Sequence, residues 1–220
     1  MSTPRQLTLE LVDPPQPSLA NFVGGRNAEV LAALQEVAAG SGDHFIYLWG
    51  DAGSGRSHLL QALDAGPHQS AVPSFDPGKL LYVVDDIDRC TETHQRQLFV
   101  LLNEIRANGA ARFVGAGNAS PKHLALRDDV RTRLAWGLVY QVHALTDDEK
   151  AQAMTAHATS RGLALSVEVV DYLLTHMPRD MRTLVAIVDA LDGYALSVQR
   201  AVTVPLVRDW INHGRSHGAP

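Results

Sequence analysis

Cysteine is almost missing from this chain, since Cys90 is the only one among 220 residues. A single cysteine excludes an intrachain disulfide and any zinc cluster built on thiolates. Lysine is scarce as well, at Lys79, Lys122 and Lys150, so arginine carries most of the positive charge. The balance is nonetheless acidic, with a formal net charge of −5. That argues against a protein that holds nucleic acid through its bulk surface and points to DNA contact that is only indirect or weak. Long apolar runs are absent too. The longest, such as residues 80–84, fall far short of the roughly 20 apolar residues of a membrane span. The N-terminal stretch MSTPRQLTLELVDPP lacks the apolar core of a signal peptide, so no membrane is involved and a cytoplasmic location is expected. The ten histidines show no metal-ligand spacing and read as scattered surface and packing residues.

A hydrophobic content of 45% suffices for a sizeable core. Residues 1–18 read as a tail: a short apolar alternation, then the proline-rich linker of residues 13–17. From there to residue 145 apolar strands alternate with helical periodicity, which implies an α/β base with a parallel sheet. Strands are expected over 44–49, 80–84, 112–117 and 138–144, and helices over 26–39, from 56, over 93–107 and near Val130. The segment 64–78 is loop chemistry. Beyond 145 every segment reads as helix. Thr146 and Glu149 form a capping box, Gly162 is a natural stop, and Ser166 can cap a second helix running through Met177. A third helix is expected over 181–191 and a fourth over 204–213. The division is therefore a tail (1–18), a nucleotide-binding base (19–145) and a small all-helical lid (146–220).

The strongest chemical signal is Gly50-Asp51-Ala52-Gly53-Ser54-Gly55-Arg56-Ser57, a phosphate loop between an apolar strand and a helix. Gly50, Gly53 and Gly55 let the backbone turn its N–H groups toward phosphate, and the helix N-terminus adds positive potential. Ser54 belongs to the same cradle, and Ser57 is placed to ligate Mg2+. Arg56 stands where lysine is the rule. A planar, longer cation in place of a compact one keeps binding but disfavours rapid self-hydrolysis, so ADP (or ATP) with Mg2+ is the expected cofactor set, with ADP favoured. The strand of residues 80–84 ends in Asp85 and Asp86, the first suited to hold magnesium through water and the second to activate a water. A strand-end acid capping a turn is the plainer alternative for that pair.

These motifs resemble the DnaA-like AAA+ family, made up of the replication initiator DnaA and its small relatives. The resemblance rests on TRLAWGL (132–138), MRTL (181–184), GRSHLL (55–60, including His58) and Phe22-Val23-Gly24, and it spans essentially the whole chain. It implies an AAA+ P-loop base with a helical lid, Phe22 and Val23 near the adenine, and Asn118 as a polar sensor at the end of a strand. It further implies Arg133 as an arginine finger reaching a neighbour's nucleotide, and Arg182 as a second sensor. A turn residue is the plain alternative for Asn118, and a surface salt bridge for each arginine. The match is nearest to the regulatory inactivators, which lack the initiator's DNA-binding domain; with the chain ending at Pro220, that activity is expected to be missing. Gln6-Leu7-Thr8-Leu9-Glu10-Leu11 resembles the Q-L-x-L-x-[LF] peptide that docks on the bacterial sliding clamp, the DNA polymerase III beta subunit. Gln6 offers its amide there, while Leu7, Leu9 and Leu11 otherwise read as an edge strand. The resemblance implies an ADP-bound regulator on the DNA-loaded clamp that stimulates hydrolysis by DnaA, nucleoid-associated through the clamp. A homo-oligomer stays open. So does a self-sufficient ATPase or helicase-loader-type motor that uses Asp86.

Overall fold

Four short strands, β1 (Phe45–Trp49), β2 (Leu81–Val84), β3 (Arg112–Gly117) and β4 (Leu138–Gln141), form one parallel sheet in the order β2-β3-β1-β4. They belong to a computed structural model that describes residues 14–64 and 72–217, with side chains up to 212. The clamp-peptide residues Gln6, Leu7, Leu9 and Leu11 and part of the 64–78 loop lie outside the described residues. Two compact units are present, one spanning Pro17–Leu145 and the other beginning at Thr146.

In the first unit the strands alternate their side chains between two helical layers. Ile46, Leu48, Val83, Val114 and Ala116 pack on α1 (Ala28–Ala38) and α2 (Arg56–Leu63) through Val30, Leu34, Leu59 and Leu60. Tyr47, Tyr82, Val84 and Phe113 face α3 (Glu92–Asn108) and α4 (Asp128–Leu134) through Leu98, Leu102, Ile105, Val130 and Leu134. Each fully buried leucine in these layers contributes about 1.5–3 kcal/mol. Helix α3 starts at Thr91, whose hydroxyl accepts from the His94 N–H, and stops at Gly109 in the left-handed region. The fold class expected from the sequence is present: a parallel sheet between helices, followed by a helical unit.

Boundaries differ in instructive ways. Leu80 is 61% exposed and lies outside β2. Strand β4 ends at Gln141 rather than 144: the Val142 N–H still reaches the Trp49 carbonyl of β1 at 2.7 Å, and from His143 onward the backbone bonds elsewhere. The buried Asn27 side chain donates Nδ2–H to the His143 carbonyl at 2.9 Å and accepts the His143 N–H at 2.7 Å. Arg26 donates to the Ala144 carbonyl.

The second unit is four helices: α5 (Asp147–Ser160), α6 (Val167–His176), α7 (Met181–Val198) and α8 (Val204–His217). Leu173, Leu184, Val188, Leu191 and Leu206 fill their shared core. The Thr146–Glu149 capping box forms as expected. Ser166 does not cap α6 with its side chain; its hydroxyl bonds the Glu168 carboxylate instead and lowers that group's pKa. Helix α7 runs seven residues past the expected stop at 191, straight through Gly193, to Val198. No described helix is long and apolar enough to cross a membrane.

Candidate functional site

The parallel register brings the carboxyl ends of β1, β2 and β3 to one edge, with Trp49 opposite Gly117 and Val84 opposite Gly115. That edge is where open α/β sheets bind ligands. The loop after β1 turns on Gly53 (φ 79°) and Gly55 (φ 100°), and the Ser54 N–H bonds the Asp51 carbonyl at 3.1 Å. Gly50 is required by contact: a Cβ there would sit 2.3 Å from the Val142 carbonyl oxygen. A Cβ on Gly55 would meet the Phe22 ring at 2.7 Å, so Phe22 lies directly against the loop. Phe22 also packs on His58, with ring centroids 5.4 Å apart, and His58 Nε2 lies 3.0 Å from the Ser18 carbonyl. Val23 is half-buried beside Phe22, and Ser57 is exposed at the start of α2.

The residues present fit a bound phosphate. Ser54 is 5% exposed, yet its Oγ has no hydrogen-bond partner among the described residues. A buried unpaired hydroxyl costs about 1–3 kcal/mol, and a ligand at the loop would relieve that. Arg56 is half-buried, and its Nη1 donates to the Gly117 carbonyl at the end of β3.

After β2 the Asp85 carboxylate accepts the Asp86 N–H at 2.8 Å. Asp86 sits at φ 49°, a conformation sparsely used by residues other than glycine, and its carboxylate pairs with Arg89 at 3.3 Å. Asn118 exposes its side chain, while its backbone N–H is held by Asp88 at 2.9 Å. The Tyr47 hydroxyl donates to the Ala119 carbonyl at 3.0 Å. Burial, and then the Asp88 charge, push the Tyr47 phenol well above its ordinary range and keep it a donor. Asp88 and Tyr47 are residues that the sequence reading missed. No motif marks them, because they act by fixing the backbone around Asn118.

Arg133 lies on α4, half-buried. Its Nε donates to Asn103 Oδ1 at 2.9 Å and its Nη1 to the Asp129 carbonyl at 2.8 Å. Arg131, one turn of the same helix away from Asp128, pairs with that carboxylate. Arg182 is placed in the first turn of α7 and makes no hydrogen bond or ion pair among the described residues. A cation at a helix N-terminus opposes the helix dipole.

Comparison with known proteins agrees with this architecture. Residues 147–211 match the family model described as Hda, lid domain. Domain III of the Thermotoga maritima replication initiation protein DnaA matches with a TM-score of 0.64 at 17% identity, over 92% of this chain and 98% of that one. AMPPCP-bound DnaA from Aquifex aeolicus matches with a TM-score of 0.62 at 20% identity, over 83% and 67%. Thermotoga maritima RuvB matches with a TM-score of 0.59 at 14% identity, over 93% and 73%. The lid thus matches the Hda lid model, and the chain as a whole has the fold of DnaA domain III.

Proposed function

We infer that this protein is a nucleotide-bound regulator of replication initiation that acts on a partner ATPase, the initiator DnaA. The observation that carries the reading is the division of labour between two arginines. Arg56 occupies the lysine position of the phosphate loop and is engaged by the Gly117 backbone, which suits holding a diphosphate rather than driving turnover. Arg133 lies on α4 and is hydrogen-bonded by neutral acceptors, with no carboxylate in an ion pair with it among the described residues. Bound ADP would bring the negative charge that the loop N–H groups and the Ser54 hydroxyl are arranged to receive. Ser57 and Asp85 would hold its magnesium, Phe22 and Val23 would line the adenine side, Asn118 would sense the phosphates, and Arg182 would add its unpaired cation. In the partner's active site Arg133 would stabilise the charge spread over the transferring phosphoryl group. Gln6, Leu7, Leu9 and Leu11 would dock the protein on the DNA-loaded sliding clamp, concentrating it beside the initiator without any new contact.

Two measurements test the parts separately. Titration calorimetry should show ADP binding in the presence of magnesium. Ser57→Ala and Arg182→Ala should each weaken it about tenfold, the size of one lost charge-assisted contact of about 1.4 kcal/mol. Absence of heat with both ADP and ATP would remove the nucleotide from the reading. For the clamp, replacing Gln6, Leu9 and Leu11 together by alanine should abolish pull-down by the beta subunit while leaving the thermal unfolding transition in place. A triple variant still captured like wild type would dismiss the peptide as the dock.

A further inference from the structure

The environment of Arg133 is more specific than that of an ordinary surface arginine. Its guanidinium carbon lies 3.9 Å from the centre of the Phe99 ring and 5.2 Å from that of Trp136. Arg106 lies 4.3 Å from the Trp136 ring centre as well, and Trp136 is set edge-on to Phe45, 5.5 Å away. Aromatic faces attract a planar cation without cancelling its charge. The two hydrogen bonds have the same character, since the acceptors are a side-chain amide, Asn103 Oδ1, and a backbone carbonyl, that of Asp129.

The Asp129 carboxylate makes its side-chain hydrogen bonds to another arginine and acts on Arg133 only through its charge, the smallest of the effects on that carboxyl. Asp129, one helical turn before Arg133, is taken by Arg127 through both Nε and Nη2. Arg131 contrasts with this: Asp128 binds it as an ion pair and Lys122 supplies a backbone carbonyl. Of the two arginines in this stretch, one is neutralised and the other is held only by neutral groups. Arg133 also keeps part of its donor set. A guanidinium has five N–H groups, and the single bonds from Nε and Nη1 leave Nη2 without a partner among the described residues. The end-on pair of terminal nitrogens therefore retains donors for a two-pronged contact with phosphoryl oxygens.

We propose that Phe99, Asn103 and Trp136 are positioning residues that hold Arg133 in place, fully charged and with its terminal donors available, before the partner arrives. This rests on the regulator reading above. Fixing the side chain in advance removes rotamer freedom that would otherwise be lost when the partner's transition state forms. Using neutral acceptors to do so preserves the whole positive charge for that state.

The test uses the full chain with clamp, DNA and initiator, following ATP hydrolysis as the concentration of this protein is raised. Asn103→Leu removes the Nε acceptor, whereas Asn103→Asp keeps an acceptor but adds a cancelling charge. Both should lower the maximal stimulated rate about tenfold or more with the half-saturating concentration unchanged. In the protein alone, the Arg133 Nε–H signal in a proton–nitrogen spectrum, assigned with Arg133→Lys, should be retained in Asn103→Asp and lost in Asn103→Leu. Phe99→Leu, which removes one stacking face, should reproduce the drop in maximal rate if Asn103→Leu proves unstable. Variants that stimulate like wild type, or that change only the half-saturating concentration, overturn the inference. A wild-type Arg133 Nε–H that exchanges as fast as an exposed arginine also overturns it. If wild type itself fails to stimulate, the regulator reading falls and takes the inference with it.

Discussion

Arg133→Ala should yield a folded protein that still binds ADP and the clamp but has lost nearly all stimulation of the initiator. Arginine fingers supplied in trans are worth about 10³–10⁵ in rate, on the order of 4–7 kcal/mol of transition-state stabilisation. The cost to the fold should be far smaller. Truncation removes the stacking on Phe99 and Trp136 and the bond to Asn103, contacts worth about 1 kcal/mol at a half-exposed site. Single-turnover hydrolysis by the initiator, measured beside a thermal melt of the variant, separates the two effects. Arg133→Lys should recover little, because a compact ammonium cannot make the planar two-pronged contact. Wild-type stimulation by Arg133→Ala would move the role to another arginine, with Arg131 first; that residue would have to leave Asp128 to act.

Gly137→Ala should be a severely damaging methyl addition, although no chemistry is assigned to that position. A Cβ on Gly137 would lie 1.9 Å from the Phe45 carbonyl oxygen and 2.8 Å from the Phe45 Cβ. Neither neighbour can move without displacing β1, because Ile46 pairs with Leu138 in the next register position. Relief requires backbone movement, so a loss of about 3 kcal/mol or more is expected. Urea unfolding should show the midpoint falling with its slope retained. Gly193→Ala is the control of opposite sign. It lies within α7 with nothing inside 4 Å of the added methyl, so it should stabilise by roughly 1 kcal/mol through helix propensity. If Gly137→Ala unfolded at the wild-type midpoint, the close approach of β1 to the start of β4 would be refuted.

Much of the base was legible because its signals are local. Strand β3 and the loop after β1 are short-range patterns, an apolar run and a glycine spacing, and both fall at the expected residues. The stop assigned to α7 failed for a physical reason. Asp192-Gly193 looks like a helix end, but Leu191 and Ala195 on either side are buried in the lid core, and that burial outweighs the propensity cost of one glycine. Ser166 misled in the opposite way, because the type of residue fits a cap while its hydroxyl finds the nearby Glu168 carboxylate. What sequence could not supply was long-range pairing. Nothing around residue 133 announces that Phe99 and Asn103 will lie beside it, and nothing near Asp88 announces Asn118. Packing between α3 and α4 and between neighbouring loops creates those contacts.

The Asn27 amide carries one such long-range pairing, and it sets a limit on where the chain can be shortened. Both polar groups of the His143 backbone are satisfied by that one side chain, which is 1% exposed. A chain begun at Pro17 would lose the proposed clamp peptide and keep Ser18 and Asn27 with their partners. Cutting eleven residues further, through Asn27, would leave the half-buried His143 N–H and carbonyl without that partner just where Val142 meets the Gly50 turn. Its consequence is practical. A minimal fragment that keeps the surroundings of the glycine loop has to begin before Ser18, whose carbonyl lies beside His58, and a fragment begun at α1 would lack both Ser18 and Asn27.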